Sequence, residues 1–182
     1  MTSSRALDSS LRRELEDLES VFADVLVSVF GEEAEVTGTG TEPDGAVDGG
    51  AAALLAIHDE RDDTYLGVHV RVSSELARRL AGRMLACAEP TREDLLEAVG
   101  AFGSIAAGKV KALLFPAARL SLPSATLGEA GLPPAEEGSA APTVLGARVL
   151  GELAELALVP HVEAAGLAWP RPLQSQVLEA QP

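Results

Sequence analysis

Cysteine, aromatic residues and basic residues are all scarce in this 182-residue chain. Its one cysteine, Cys87, excludes an intrachain disulfide and any metal site built from several cysteines. Aromatic residues make up only 3% of the chain, so a core must be built from Leu, Val, Ala and Ile. Asp and Glu number 28 against 14 Lys and Arg, a net charge of -14. Such a charge repels phosphate backbones and anionic lipid, so neither nucleic acid nor a membrane surface is an expected partner.

Long apolar runs are absent as well. No stretch approaches the ~20 apolar residues that a bilayer-spanning helix needs, and the opening sequence MTSSRALDSSLRRELEDLES has no apolar signal core. These absences predict a cytoplasmic protein. Cys87 ends the apolar helical pattern ARRLAGRMLAC, which favours a buried structural thiol, because a catalytic cysteine needs a nearby base and an electropositive setting.

The length of the chain fits one domain, and its residue patterns predict a series of helices and strands. Apolar residues three or four apart predict a helix over residues 8–30, capped by Ser9 or Ser10 and ended by Gly31. The next predicted elements are a strand at 34–39, a hairpin of 52–59 and 64–72, and a helix that Ser73 or Ser74 caps and that runs through Cys87. A third helix over 91–114 is opened by Pro90 and Thr91, and an extended segment follows at 118–128. A closing hairpin is predicted around Gly151, although its second arm, ELAELALV, also fits a helix.

Turn-forming and acidic residues predict loops at 39–50 and 131–143. The expected division is a tail at 1–8, a domain at 9–163 and a loose tail at 164–182. In the strand at 64–72, four apolar residues alternate with Gly67, His69 and Arg71. This alternation predicts one buried and one solvated face.

The third predicted helix has two contrasting stripes. Its apolar stripe is expected to be buried and consists of Leu95, Val99, Phe102, Ala106, Val110 and Leu113. The opposite stripe, a candidate partner-binding surface, consists of Glu97, Gly100, Ala101, Ser104, Gly108 and Lys111. A glycine in a helix interior costs about 1 kcal/mol relative to alanine, and this helix has three, at 100, 103 and 108. Close packing within the chain or against a partner protein should compensate.

Two short motifs then carry a resemblance. The chain reads GAFGSIAAGKVK at 100–111 and SLPSATLG at 121–128. Together with the order of elements over about residues 10–162, these resemble the CheX-type chemotaxis phosphatase domain, related to CheC and FliY. That family carries a run like GEL-x-N-MIAGNAK on its long helix and a strand reading SLPT-x-x-x-G. The resemblance implies an α/β (α+β) fold in which a long first helix and two middle helices cover one face of a largely antiparallel sheet.

The resemblance also implies a phosphatase activity, but the two residues on which that activity depends are absent from this sequence. The family removes the phosphoryl group from the response regulator CheY, using a Glu and an Asn three residues apart on the long helix. These positions fall on Ala101 and Ser104 here. Alanine makes no salt bridge, and the serine hydroxyl is shorter than an amide and lacks its paired donor and acceptor. No catalytic residue is therefore assigned, and Glu97 lies one turn too early to replace the missing acid without a shifted docking.

Other motifs in the sequence are incomplete. Residues 103–109 fit the start of a P-loop, but Val110 stands where Ser or Thr should hold magnesium, and the stretch lies within a helical period. His58 and His69 face each other across the hairpin only if its turn is centred between Asp62 and Asp63, and even then a polar pair is favoured over a metal site because no third ligand is evident. The acidic turn at 59–63 lacks the pattern of a calcium loop. No cofactor and no metal are predicted.

Three functions stay open from the sequence. The first is a non-catalytic CheX-like interaction domain of a chemotaxis or two-component pathway, which binds a response-regulator receiver or another signalling protein. The second is an active phosphatase that uses Ser104, Glu97 or another residue. The third is a structural dimerisation subunit. The resemblance implies a homodimer that pairs through its sheets, and an exposed edge at 143–162 is the expected contact.

Overall fold

The computed structural model describes residues 3–40, 50–61, 63–128 and 141–160, with side chains of the first helix described from Glu14 onward. The described residues form three helices and seven strands. In chain order the elements are α1 (Ser3–Phe30), β1 (Ala34–Gly40), β2 (Ala51–Asp59), β3 (Thr64–Val72), α2 (Ser74–Met84), α3 (Arg92–Leu114), β4 (Arg119–Leu120), β5 (Ser124–Leu127), β6 (Thr143–Val149) and β7 (Glu152–Pro160).

Helix α1 ends where the sequence predicts but begins earlier. Gly31 adopts a left-handed φ of +69°, and its amide donates to the carbonyl of Val27 at 2.8 Å, which closes the helix. The predicted caps Ser9 and Ser10 are wrong, because both lie inside a helix that begins at Ser3. The buried residues of α1 lie on one stripe, as predicted: Leu18, Phe22, Val25, Leu26 and Phe30.

Helix α2 begins at its predicted cap, where Ser73 Oγ accepts a hydrogen bond from the amide of Leu76 at 3.2 Å. Its predicted end is wrong. The helix stops at Met84, and Ala86 has a left-handed φ of +53°, so Cys87 lies beyond the helix. Cys87 is half-buried, with its Sγ 4.0 Å from Asp94 Oδ2, and is not the fully buried thiol that the apolar pattern predicts.

Helix α3 begins with a capping box. Asp94 donates its amide to Thr91 Oγ1 at 3.2 Å, and Thr91 donates its own amide to Asp94 Oδ2 at 2.8 Å. The hydrogen bonds from Thr91 lower the pKa of Asp94. The helix ends at Leu114, two residues before Pro116, which removes the amide that a further turn would need.

The sheet has the order β1-β6-β7-β3-β2-β4, and β5 also pairs with β2. Every pairing is antiparallel. Both predicted hairpins are present. Leu150 and Gly151 both have positive φ between β6 and β7, the requirement of a tight two-residue turn whose twist matches the strands. The largely antiparallel α+β fold is confirmed.

The predicted edge at 143–162 is wrong. Strand β6 lies between β1 and β7, and β7 lies between β6 and β3, so both are interior strands. Their hydrogen-bonding groups face neighbouring strands of the same chain and are not available for pairing with another copy. Residues 161 and 162 lie outside the described residues.

All three helices pack on one face of the sheet, here called the helix-covered face. Its buried residues share a cluster with the helices and alternate along each strand. They are Ala51, Ala53, Leu55, Ile57, Val68, Val70, Val72, Leu145, Ala147, Val149, Ala154, Leu156 and Leu158. Phe102 of α3 and Phe30 of α1 meet within this layer in an edge-to-face pair with ring centroids 6.0 Å apart.

Candidate protein-binding surface on the third helix

The three glycines of α3 differ in their surroundings. A Cβ on Gly103 would lie 2.7 Å from Ala53 Cβ, closer than real Cβ atoms approach, so this glycine allows the helix to touch β2. A Cβ on Gly100 would lie 3.5 Å from Pro123 Cγ, an ordinary contact. A Cβ on Gly108 would meet nothing within 4 Å. Packing within the chain therefore explains Gly103 but not Gly108.

The predicted partner-binding stripe is accessible except at Gly100, which is buried beside Pro123. Glu97 is exposed, and Ala101, Ser104, Gly108 and Lys111 are partly exposed. The predicted apolar stripe is buried at four of its six positions. Leu95 is half-buried, and Leu113 is 39% exposed, so the prediction is wrong for Leu113.

Exposed apolar side chains adjoin the accessible stripe. Ile105 of α3 is 37% exposed, and Leu122, which precedes the Pro123 that contacts the helix, is 48% exposed. The segment that carries Leu122 is anchored by Ser121, whose Oγ accepts from the amide of Ala56 at 2.9 Å. We name the set Glu97, Ala101, Ser104, Ile105, Gly108 and Leu122 the α3 surface. It combines small, apolar and a few polar groups, a composition suited to protein contact.

Two polar groups of the predicted stripe, on Ser104 and Lys111, are engaged within the chain. Ser104 Oγ donates to the carbonyl of Gly100 at 2.9 Å, one turn earlier in the helix. Lys111 Nζ donates to the carbonyl of Pro116 at 3.1 Å. Ser104 therefore presents an oxygen lone pair but no free proton, which is less than an amide offers to a water molecule.

The incomplete motifs do not form sites among the described residues. Residues 103–109 lie inside α3, so their backbone amides follow helical hydrogen bonding and cannot wrap a phosphate. The expected pairing of His58 with His69 is wrong, because the register places Tyr65 opposite His58 and Leu54 opposite His69. His58 stacks on Tyr65 and lies 3.0 Å from Asp63 Oδ1. No group of three metal-binding side chains occurs in the described part of the chain.

A polar cluster that the sequence does not predict lies on the face of the sheet opposite the helices. Both His69 and Arg71 were predicted to be solvated, but His69 is buried at 4% exposed and the Arg71 side chain is only 12% exposed. Arg71 Nη1 lies 3.0 Å from Glu155 Oε2, directly across the β3–β7 pairing. Burial, reinforced by the charge of Arg71, lowers the pKa of His69 to about 4.

No protein family model matches this sequence, and no curated protein matches it. Solved structures do match its fold. The chemotaxis protein CheX from Vibrio vulnificus has a TM-score of 0.66 at 15% identity, over 81% of this chain and 98% of that one. A CheC-like superfamily protein from a Shewanella species has a TM-score of 0.63 at 14% identity, over 80% and 95%. A chain of the CheX–CheY–BeF3–Mg complex from Borrelia burgdorferi has a TM-score of 0.62 at 14% identity, over 81% of this chain and 97% of that one.

These matches confirm the predicted resemblance at the level of the fold, which is that of CheX-like proteins. At such low identity the backbone arrangement is what the structures share. None of the helices in the described residues is long and apolar enough to span a membrane.

Proposed function

We propose that this chain is a CheX-like interaction domain of a chemotaxis or two-component pathway and that it binds a response-regulator receiver without dephosphorylating it. The observation that carries the proposal is the α3 surface. It lies on the helix that aligns with the family's catalytic run, yet Ala101 and Ser104 replace the acid and the amide. One of the similar structures is a complex with the response regulator CheY, which makes a receiver domain the first partner to test.

The chemistry at these positions supports binding over catalysis. Positioning the attacking water is a large part of phosphoryl-transfer catalysis, and it needs a group held at a set place in the receiver's active site. The Ala101 methyl offers no hydrogen bond, and the Ser104 proton is already donated to Gly100. The exposed side chains of Ile105 and Leu122 supply apolar area that a partner can bury.

Decay of a phosphorylated receiver from the same organism tests this function. The natural domain should bind the receiver and leave its decay rate unchanged. Ile105→Glu should weaken binding at least tenfold, because it places a charge in the middle of the α3 surface. Met84→Glu is a matched control, since Met84 is 38% exposed on α2 and Ile105 is 37% exposed. Equal weakening by both variants would place the contact elsewhere.

Restoring the missing pair is the complementary test. Ala101→Glu with Ser104→Asn should make receiver decay several-fold faster, provided that α3 meets the receiver in the family's orientation. If the natural domain itself accelerates decay, it is a phosphatase, and Ser104→Ala and Glu97→Ala then identify the group responsible. If it binds no receiver at all, the structural-subunit alternative takes its place.

We also propose a homodimer and a cytoplasmic location, neither of which depends on the α3 surface. The sheet edges open to another copy among the described strands are β1 and the β4–β5 side, because β6 and β7 are interior. Light scattering during size-exclusion chromatography should give twice the 18.8 kDa chain mass. A mass of one chain at micromolar concentration would remove the dimer. The division into residues 1–8, 9–163 and 164–182 also stays a prediction.

A further inference from the structure

The charges of this acidic chain are distributed unevenly around α3. The net charge is -14, yet residues 98–128 contain three basic residues and no acidic one. The three are Lys109, Lys111 and Arg119. The range comprises α3 from its second turn onward, β4 and β5. A region without acids in an acidic domain is a local charge contrast that a partner of opposite charge can match.

Only Lys109 has its charge available among these three. Arg119 Nη1 lies 3.2 Å from Glu60 Oε1, so its charge is paired within the chain. Lys111 Nζ donates to the carbonyl of Pro116 at 3.1 Å. Lys109 is exposed, and its ammonium makes no hydrogen bond or ion pair with any other residue in the part of the chain that the structure describes.

Helix stability does not account for Lys109. A cation stabilises the C-terminal end of a helix only within about its last turn. In α3 that position belongs to Lys111, and Lys109 lies before the last turn. The residues three and four positions from Lys109 are apolar, at 105, 106, 112 and 113, so none of them forms an ion pair with it.

The position of Lys109 is suited to contact with a partner. It lies one turn after Ile105 of the α3 surface, about 6 Å along the helix axis. Ile105 is 37% exposed, and Leu113, one turn after Lys109, is 39% exposed. A charge beside exposed apolar side chains is typical of the border of a protein–protein contact. One free cation does not neutralise the several phosphates that a nucleic acid or an anionic membrane presents.

We propose that the half of α3 from Ile105 to Leu113 binds an acidic surface of the partner protein, with Lys109 opposite a carboxylate. This inference rests on the proposed function, since the receiver is the partner, and it adds the chemistry of the surface that is recognised. Glu97, the exposed acid of the α3 surface, lies about 18 Å earlier along the helix. The helix therefore has an acidic and a basic end, which fixes the direction in which the partner docks.

Cross-linking tests the contact directly, because Lys109 and Lys111 are the only lysines of the chain. A water-soluble carbodiimide activates a carboxylate as an O-acylisourea, and a lysine amine in contact with it displaces the urea and forms an amide. Treatment of the complex with the receiver, followed by peptide mass spectrometry, should join Lys109 to an Asp or Glu of the receiver. Lys109→Arg keeps the charge but lacks the primary amine, so this cross-link should disappear.

Two cross-linking results would overturn the proposal. The first is a Lys109 cross-link to a second copy of this chain in place of the receiver. The second is a set of cross-links to the receiver that involve only the carboxylates of this chain, which would make the receiver surface basic.

Charge reversal measures how much the contact contributes. Lys109→Glu should weaken receiver binding about tenfold at low ionic strength, and less in about 0.5 M salt, because salt screens the repulsion. Arg92→Glu is the matched control. It makes the same change in net charge at an exposed position about 25 Å away on α3 and should weaken binding less than about threefold. Far-UV circular dichroism checks that both variants keep the native fold.

The outcomes separate this inference from the function on which it rests. If the natural domain binds no receiver, the proposed function fails. If it binds the receiver but Lys109→Glu binds equally well, only the acidic contact surface is wrong. Equal weakening by Lys109→Glu and Arg92→Glu would mean that net charge acts without a contact at Lys109, and this result would also overturn the inference.

Discussion

Both faces of the sheet carry buried side chains, but the chemistry of those side chains differs. The buried cluster on the helix-covered face consists of apolar side chains packed against three helices. The opposite face, here called the helix-free face, has small apolar residues around an ion pair and a histidine, with Glu155 1% exposed and His69 4% exposed. Apolar contact on the first face is tolerant of small adjustments in geometry. A buried charge on the second face is tolerated only while it keeps its partner.

The largest expected effect comes from breaking the ion pair. Glu155→Leu should lower the free energy of unfolding by about 3–5 kcal/mol, because it leaves the Arg71 guanidinium buried without the carboxylate that it contacts at 3.0 Å. Chemical denaturation monitored by circular dichroism measures the change. Arg71→Met combined with Glu155→Leu should recover most of the loss, since no charge is then buried.

An exposed ion pair of similar geometry provides the control. Arg79 Nε lies 2.9 Å from Glu75 Oε1 on α2, with side chains 46% and 44% exposed. Glu75→Leu should change the free energy of unfolding by less than about 1 kcal/mol, because solvent screens such pairs. If Glu155→Leu cost no more than Glu75→Leu, the helix-free face would be open to water and the contrast between the two faces would disappear.

Acid should destabilise the helix-free face through His69. The pKa of His69 is about 4 in the folded protein, against an ordinary value of 6.5. Between pH 4 and pH 6.5 the imidazole is therefore protonated in the unfolded chain but largely neutral in the folded one. Stability is therefore complete above pH 6.5 and falls as the pH drops towards 4, by about 3 kcal/mol from this residue. Carboxylates such as Asp94 contribute to acid unfolding too, so the useful quantity is a difference between variants.

His69→Gln supplies that difference. Its free energy of unfolding should vary less with pH than that of the natural chain, by about 3 kcal/mol between pH 7 and pH 4. His58→Gln is the matched control, because His58 lies on the same face but next to Asp63 at the hairpin end. Parallel pH profiles for His69→Gln and the natural chain would mean that the histidine is hydrated in the folded state.

The elements that the sequence predicts well are those specified by local chemistry. Thr91 and Ser73 cap helices with their own hydroxyls, and Gly31 and Gly151 provide the positive φ that ends α1 and turns β6 into β7. Such signals act over a few residues and can be recognised without knowledge of the tertiary structure.

Features that depend on distant parts of the chain are not predictable in the same way. The alternation of apolar and polar residues in β3 assigns residues to the two faces of the sheet correctly. It does not indicate whether the face opposite the helices is exposed to solvent. His69 and Arg71 were therefore predicted to be solvated, whereas His69 is buried and the Arg71 side chain is only 12% exposed. Likewise, strand order decides which strand is an edge, and the pattern of β6 and β7 alone does not reveal their interior place.

Helix α3 also has features that the local sequence predicts and features that depend on distant residues. Its spacing predicts the buried positions Val99, Phe102, Ala106 and Val110 and the accessible positions Ala101 and Ser104. It does not distinguish Gly100 and Gly103, which face the rest of the chain, from Gly108, which faces open space. That distinction is set by Pro123 and Ala53, which are distant in sequence.

The helix-covered face should respond to added volume at Gly103. A methyl group there would lie 2.7 Å from Ala53 Cβ, and a rigid Cβ cannot turn aside, so α3 or β2 must move. Gly103→Ala should lower the free energy of unfolding by about 1–2 kcal/mol, the cost of overpacking less the gain in helix propensity. Thermal and chemical denaturation both measure this change.

Gly108→Ala is the matched variant, with the smallest expected effect and the opposite sign. The added methyl group meets nothing within 4 Å, so only helix propensity acts, and the free energy of unfolding should rise by up to about 1 kcal/mol. Because Gly108 lies on the α3 surface, receiver binding is measured on the same variant. Stabilisation with weakened binding would mean that the partner needs close approach at Gly108, whereas stabilisation with unchanged binding would place the contact nearer Ala101 and Ile105.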